Sequence, residues 1–186
     1  MIYFITGAVS LIILFILFFI VFSYNGLVSL RNKVRNQKSQ IDVELKRRFD
    51  LVPNLVETVK GFASHEKTVL EDVIKARNSF VSASNDTAQA LEADNVLNSA
   101  LSRLFALSES YPELKANTNF ISLQNELSDI EKRIVYARQF YNDSVLRLNN
   151  KVEMFPSNII ASMFKFTKET FFEARSEEKD NVKVEF

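Results

Sequence analysis

The chain has 186 residues, 47% of them apolar and 25% charged, with 23 Lys and Arg balanced by 23 Asp and Glu. That length holds one domain plus an appendage. The absence of cysteine excludes disulfides, thiolate metal sites and cysteine nucleophiles, and the balanced charge removes the general electrostatic case for nucleic acid.

Only three Gly and three Pro interrupt the chain, a composition that favours long helices over many short strands. The first expected element is a transmembrane anchor. Residues 2–22 carry no charge and are mostly Ile, Leu, Val and Phe. As a helix this run rises about 31 Å, close to the thickness of a bilayer's hydrocarbon core. Tyr3 and Tyr24 bracket it at the depth amphipathic aromatics prefer. A cleaved signal peptide fits less well, because no basic residue precedes the run and Val21-Phe22-Ser23-Tyr24-Asn25 is a poor cleavage site. After the run come Arg31, Lys33, Arg35 and Lys38, before the first acid at Asp42. The positive-inside rule then places the N-terminus outside and the rest in the cytoplasm. Asn25-Gly26 leaves open whether anchor and domain join through a hinge or a continuous helix.

Behind the anchor the apolar spacing is helical. Leu27, Leu30, Val34, Ile41 and Leu45 form one stripe, interrupted by Gln37. Pro53 suggests a chain reversal near Asp50, with one continuous helix kinked at Pro53 as the alternative. A second stripe runs through Val52, Leu55, Val59, Phe62, Val69, Val73, Ala76 and Phe80, broken by Glu66. A polar loop follows at 82–87, with Asp86 as a cap. A third helix carries Ala90, Ala93, Leu97, Ala100, Leu104, Leu107 and Tyr111 and stops before Pro112. Asn117-Thr118-Asn119 offers caps for a fourth, whose stripe runs from Phe120 through Leu127, Ile134 and Tyr141 to Val152 and ends at Pro156. The expected fold is therefore all-α: a transmembrane helix (1–23), an antiparallel up-and-down four-helix bundle (24–156), and a short apolar helix with a polar, acidic tail (157–186).

In that topology the end of the fourth helix returns to the membrane. Ile159, Ile160, Met163, Phe164 and Phe166, then Phe171 and Phe172, either close the end of the bundle or dip into the headgroup region. Of the polar residues in the stripes, Glu66 either reaches solvent or joins Arg138 and Tyr141 in a buried polar layer that fixes helix register.

Longer stretches are familiar. Tyr24-Asn25 with Leu27-Val28, Gln40-Ile41-Asp42-Val43, and the run from Leu45 through Arg47-Arg48-Phe49-Asp50-Leu51-Val52-Pro53-Asn54-Leu55-Val56 to His65-Glu66 resemble the LemA family. So do Leu123-Gln124, Glu126-Leu127, Glu131, Arg133-Ile134, Ala137-Arg138, Tyr141-Asn142, Asn149, Phe155-Pro156 and Phe171-Phe172. Lys38 departs mildly from the family's usual small residue, and Ser39 follows where a small or aromatic pair is usual. The resemblance implies a bacterial protein with one N-terminal membrane helix and an antiparallel four-helix domain, of unestablished activity.

Catalytic signals are weak. His65 is the sole histidine, so His65-Glu66 has no second imidazole for a zinc site. No Gly-rich phosphate loop or nucleophile elbow occurs. The expectation is a non-enzymatic, cofactor-free interaction or scaffold module of the bacterial inner membrane, with lipid and an envelope protein as partners and homo-oligomerisation left open. The alternative is a membrane-organising structural protein acting by self-association and lipid contact.

Overall fold

A computed structural model describes residues 1–83 and 87–172 of the chain. Among the described residues there are six helices and no strand: α1 (Ile2–Lys60), α2 (Lys67–Ala83), α3 (Thr87–Ser108), α4 (Pro112–Lys115), α5 (Thr118–Glu153) and α6 (Ser157–Met163). Of the polar loop expected at 82–87, positions 82, 83 and 87 belong to α2 and α3, whereas 84–86, Asp86 included, and the acidic tail from Glu173 lie outside the described residues.

The first helix corrects one expectation. The chain does not reverse near Asp50: α1 continues for 59 residues, through Asn25-Gly26 and through Pro53, to Lys60. Proline has no N–H, so the carbonyl four residues earlier loses its helical donor. That carbonyl belongs to Phe49, and the Arg77 Nε of α2 donates to it at 3.3 Å. The orphaned acceptor is thus satisfied from another helix, and the proline is accommodated. The reversal comes instead at 61–66. There Phe62 and Ala63 donate to the Val59 carbonyl at 3.0 and 2.8 Å, and Glu66 donates to the Ala63 carbonyl at 3.1 Å. Gly61, a weak helix former, opens this turn.

The chain divides into two compact units, Met1–Ile41 with Val135–Phe186, and Asp42–Ile134. In the second unit α1 contributes Leu45, Phe49, Val52, Leu55 and Val59 to the core, α2 Leu70, Val73 and Ala76, α3 Leu97, Leu101 and Leu104, and α5 Phe120, Leu127, Ile130 and Ile134. These are the three-four spacings of one buried face per helix. The Phe49 and Phe80 rings stack with centroids 3.6 Å apart. Leu114 is fully buried, which holds the single turn of α4 in place. Asn117 then caps α5 by accepting the Phe120 N–H at 3.0 Å.

In the first unit the core is Leu27, Val34 and Ile41 from α1, Tyr141, Val145 and Leu148 from α5, and Ile160 and Ala161 from α6. A Schellman motif ends α6: the Phe166 N–H reaches the Ala161 carbonyl at 2.9 Å and the Lys165 N–H reaches the Ser162 carbonyl at 3.2 Å. Lys165 occupies the left-handed position at φ 56°. The chain reverses there and continues as an extended strap, residues 165–172, along α5.

Candidate functional site

Two features of the fold hold polar and aromatic groups in defined places. One is the collar where α1 leaves its apolar run. The Tyr24 ring packs against Phe164 and Phe166, with centroids 4.7 and 5.9 Å away. Two helical turns further on, the Arg31 guanidinium lies over the Phe166 ring, 5.0 Å from its centroid. Lys33 and Arg35 are exposed. Tyr3 stands exposed within the apolar run, none of whose most apolar window is buried.

Side-chain amides hold the strap that follows Phe166. Asn149 accepts the Glu169 N–H and donates to the Glu169 carbonyl, both at 2.9 Å. Asn142 does the same for Phe172, at 2.8 and 2.9 Å. The Tyr141 hydroxyl donates to the Thr170 carbonyl at 3.0 Å, and its ring meets Phe172 edge-on at 4.6 Å. Burial, and then the charge of Glu169, push the Tyr141 phenol above its ordinary ionisation range. Phe172, expected at the membrane interface, is buried here, because Tyr141 and the Asn142 clamp draw it onto α5. Phe171 is exposed and Phe166 half-buried.

The second feature is a buried polar cluster in the other unit. Arg48 of α1, with 6% of its side chain exposed, meets Asp94 of α3 at 3.0 Å and Glu131 of α5 at 2.6 Å. Its other terminal nitrogen donates to Asn98, one turn beyond Asp94. The planar guanidinium presents several donors at once and can tie three helices together.

Of the three residues expected as a layer, Glu66 falls in the second unit and Arg138 and Tyr141 in the first. Glu66 is half-buried and accepts from the Tyr111 hydroxyl at 3.0 Å; Tyr141 bonds the strap. Tyr111 is raised above its ordinary range, by that bond first, then by desolvation and by the Glu66 charge. Arg138 is half-buried on α5. Ser144 turns its hydroxyl back to the Phe140 carbonyl, at 2.8 Å. Arg48 was hidden in sequence within Lys46-Arg47-Arg48, which reads as one basic run. Helical phase is the signal that could have found it: Arg48 falls seven residues after Ile41, on the apolar stripe.

Among the described residues no group of three or more His, Asp and Glu side chains is placed to hold a metal ion. The Arg48 guanidinium lies between two carboxylates and an amide and so links α1, α3 and α5.

Fold and site together define an all-helical protein whose first helix carries, at its N-terminal end, an exposed segment long and apolar enough to cross a membrane. The LemA family model matches residues 37–186, and the chain belongs to that family. Protein LemA of Metamycoplasma hominis is 26% identical over 90% of this chain and 81% of its own length. Magnetosome protein MamQ 2 of Paramagnetospirillum magneticum is 24% identical over 82% of this chain, and magnetosome protein MamQ of Magnetospirillum gryphiswaldense is 24% identical over 80%. The matched regions span 65% and 64% of those two longer proteins.

Proposed function

We propose that this protein is a membrane-anchored, non-enzymatic helical module of the bacterial inner membrane, which presents its helices to an envelope-protein partner at the bilayer surface. The observation that carries the reading is the unburied apolar run of α1, continuous with the helix that enters both packed units. Exposed to water, such a run would be an aggregation site; in lipid it needs no protein cover. The basic residues after it favour an N-terminus outside and a cytoplasmic domain. The antiparallel four-helix arrangement belongs to the same reading, supported by one buried apolar face on each of α1, α2, α3 and α5. Tethering confines encounters to the membrane plane, so a modest contact suffices for association. Exposed Tyr136 and Phe140, one turn apart on α5, offer such a contact.

Alkaline carbonate extraction of membranes tests the anchor: the protein stays with the pellet, and its release into the supernatant would overturn the reading. Photo-crosslinkers at Tyr136 and Phe140 in intact membranes test the partner. Adducts that disappear with a Tyr136→Asp, Phe140→Asp double substitution are expected, and an absence of adducts removes the case for an interaction face.

A further inference from the structure

The reversal between α5 and the strap carries an exposed apolar face. Two sets of distances fix its direction. The strap runs antiparallel to α5, because Lys168 meets Glu153, Glu169 meets Asn149 and Phe172 meets Asn142. It also rises along α1 away from the apolar run, because Phe164 meets Tyr24 while Phe166 meets both Tyr24 and Arg31. The segment before Phe164 therefore lies at the end of this unit nearest the apolar run of α1, with Tyr24 two residues beyond that run.

The chemistry of the segment changes at the same place. From Met154 to Phe164 there is no charged residue. Met154, Phe155, Ile159, Met163 and Phe164 are exposed, from 45% for Phe164 to 79% for Phe155. The inward side of α6 is Ser157, Ile160 and Ala161, all buried, so the exposed residues form a separate outward face. The single Ser157 hydroxyl proton is shared between the Lys151 and Met154 carbonyls, at 2.7 and 2.9 Å, which leaves that backbone less in need of water. Cations flank the segment at Lys151 and Lys165, and the nearest acid, Glu153, is paired with Lys168 at 2.6 Å.

The geometry points to lipid as the occupant of this face: Met154, Phe155, Ile159, Met163 and Phe164 sit among the headgroups and upper acyl chains, with Lys151 and Lys165 at the phosphates. An uncharged apolar tip with a cationic rim, level with an interfacial tyrosine, matches the polarity gradient of an anionic bilayer surface. The unit then meets the membrane at two points, α1 and the tip, and cannot swing freely about its anchor. This inference rests on the membrane reading above.

The chain has no cysteine, so single cysteines report single positions. Full-length Phe155→Cys, Ile159→Cys, Gln139→Cys and Ile12→Cys variants, each carrying a polarity-sensitive fluorophore, are reconstituted in vesicles of phosphatidylethanolamine and phosphatidylglycerol. All but Ile12 are exposed surface positions outside the apolar run, so the fold tolerates the label. The expected result is blue-shifted emission at 155 and 159, strong quenching by lipids spin-labelled near the headgroup, and iodide quenching reduced to a small fraction of that at 139. Iodide quenching at 155 and 159 equal to that at 139, with the label at 12 still shielded, would overturn the tip contact and leave the anchor standing. Exposure of the label at 12 as well would overturn the membrane reading itself. Energy transfer between tip labels on different chains, without quenching by spin-labelled lipid, would assign the face to a second copy and also overturn the inference.

Discussion

Pro53 and Arg77 lie 24 positions apart in sequence yet share one carbonyl, that of Phe49. Proline within a helix normally costs about 3 kcal/mol, part of it the lost hydrogen bond. Here the guanidinium supplies the missing donor, so the two side chains should be energetically coupled. Arg77→Ala is expected to destabilise the protein by about 1–3 kcal/mol, the range for a part-buried carbonyl left without a donor. In a Pro53→Ala background the backbone N–H returns, and the same arginine substitution should lose roughly 1 kcal/mol less. Urea unfolding of the four proteins in detergent micelles measures the difference. Equal losses in both backgrounds would show that Arg77 acts through packing instead. Arg48 illustrates a related point. Lys46, Arg47 and Arg48 are adjacent in sequence, but successive helical residues turn by about 100°. Lys46 and Arg47 therefore face water while Arg48 faces Asp94 and Glu131.

At the level of elements, periodicity decided what could be read in advance. The stripe from Phe120 to Val152 predicts α5, and it forms from Thr118 to Glu153. The break at 61–66 was hard to read, because Phe62 and Val69 continue the apolar stripe across it and a single glycine, Gly61, is a weak signal for a helix end. Nor was the strap. Asn142 and Asn149 lie off the apolar pattern, and their partners are main-chain groups of distant residues, to which side-chain periodicity is blind. Their geometry is nevertheless simple. Seven helical residues rise about 10.5 Å, and the three extended residues from Glu169 to Phe172 cover about 10 Å, so each amide meets its peptide group. Tyr141 adds a pH dependence to this docking. Its phenol is neutral in the folded protein and raised above the ordinary value of 10.0 by burial and then by Glu169. The contribution is full below that ordinary value and is lost as pH rises through the folded one. Tyr141→Phe should therefore lose less stability than the native protein in alkali, and tyrosinate absorbance should show one late-ionising phenol fewer. The remaining late titration belongs to Tyr111. Identical alkaline unfolding of the two proteins would mean that Tyr141 ionises without disturbing the strap.

For the whole molecule, the division of labour along α1 has a thermodynamic consequence. Its apolar N-terminal window is unburied, whereas Ser23, Leu27 and Val34 further along are fully or almost fully buried. Hydrophobic stabilisation scales with apolar area removed from water by folding. Phe19 and Ile20 are half-buried, but residues 1–18 are exposed throughout, so on the membrane reading they contribute to partitioning into lipid and not to the folding of the domain. Deleting them, with Ser23 and Tyr24 kept, should leave a helical protein in aqueous buffer whose urea unfolding free energy is unchanged to within about 0.5 kcal/mol. Far-ultraviolet circular dichroism and urea melts, compared with the full chain in micelles, measure both. A loss above about 2 kcal/mol would show that the apolar run supports the domain through contacts made only in lipid or between chains. The boundary is sharp: extending the deletion through Leu27 removes Ser23, Tyr24 and Leu27 together. The aromatic seat of Phe164 and Phe166 then goes with a buried leucine, which alone is worth roughly 1.5–3 kcal/mol. A step in stability between the two truncations locates where α1 begins to be held by the protein's own core.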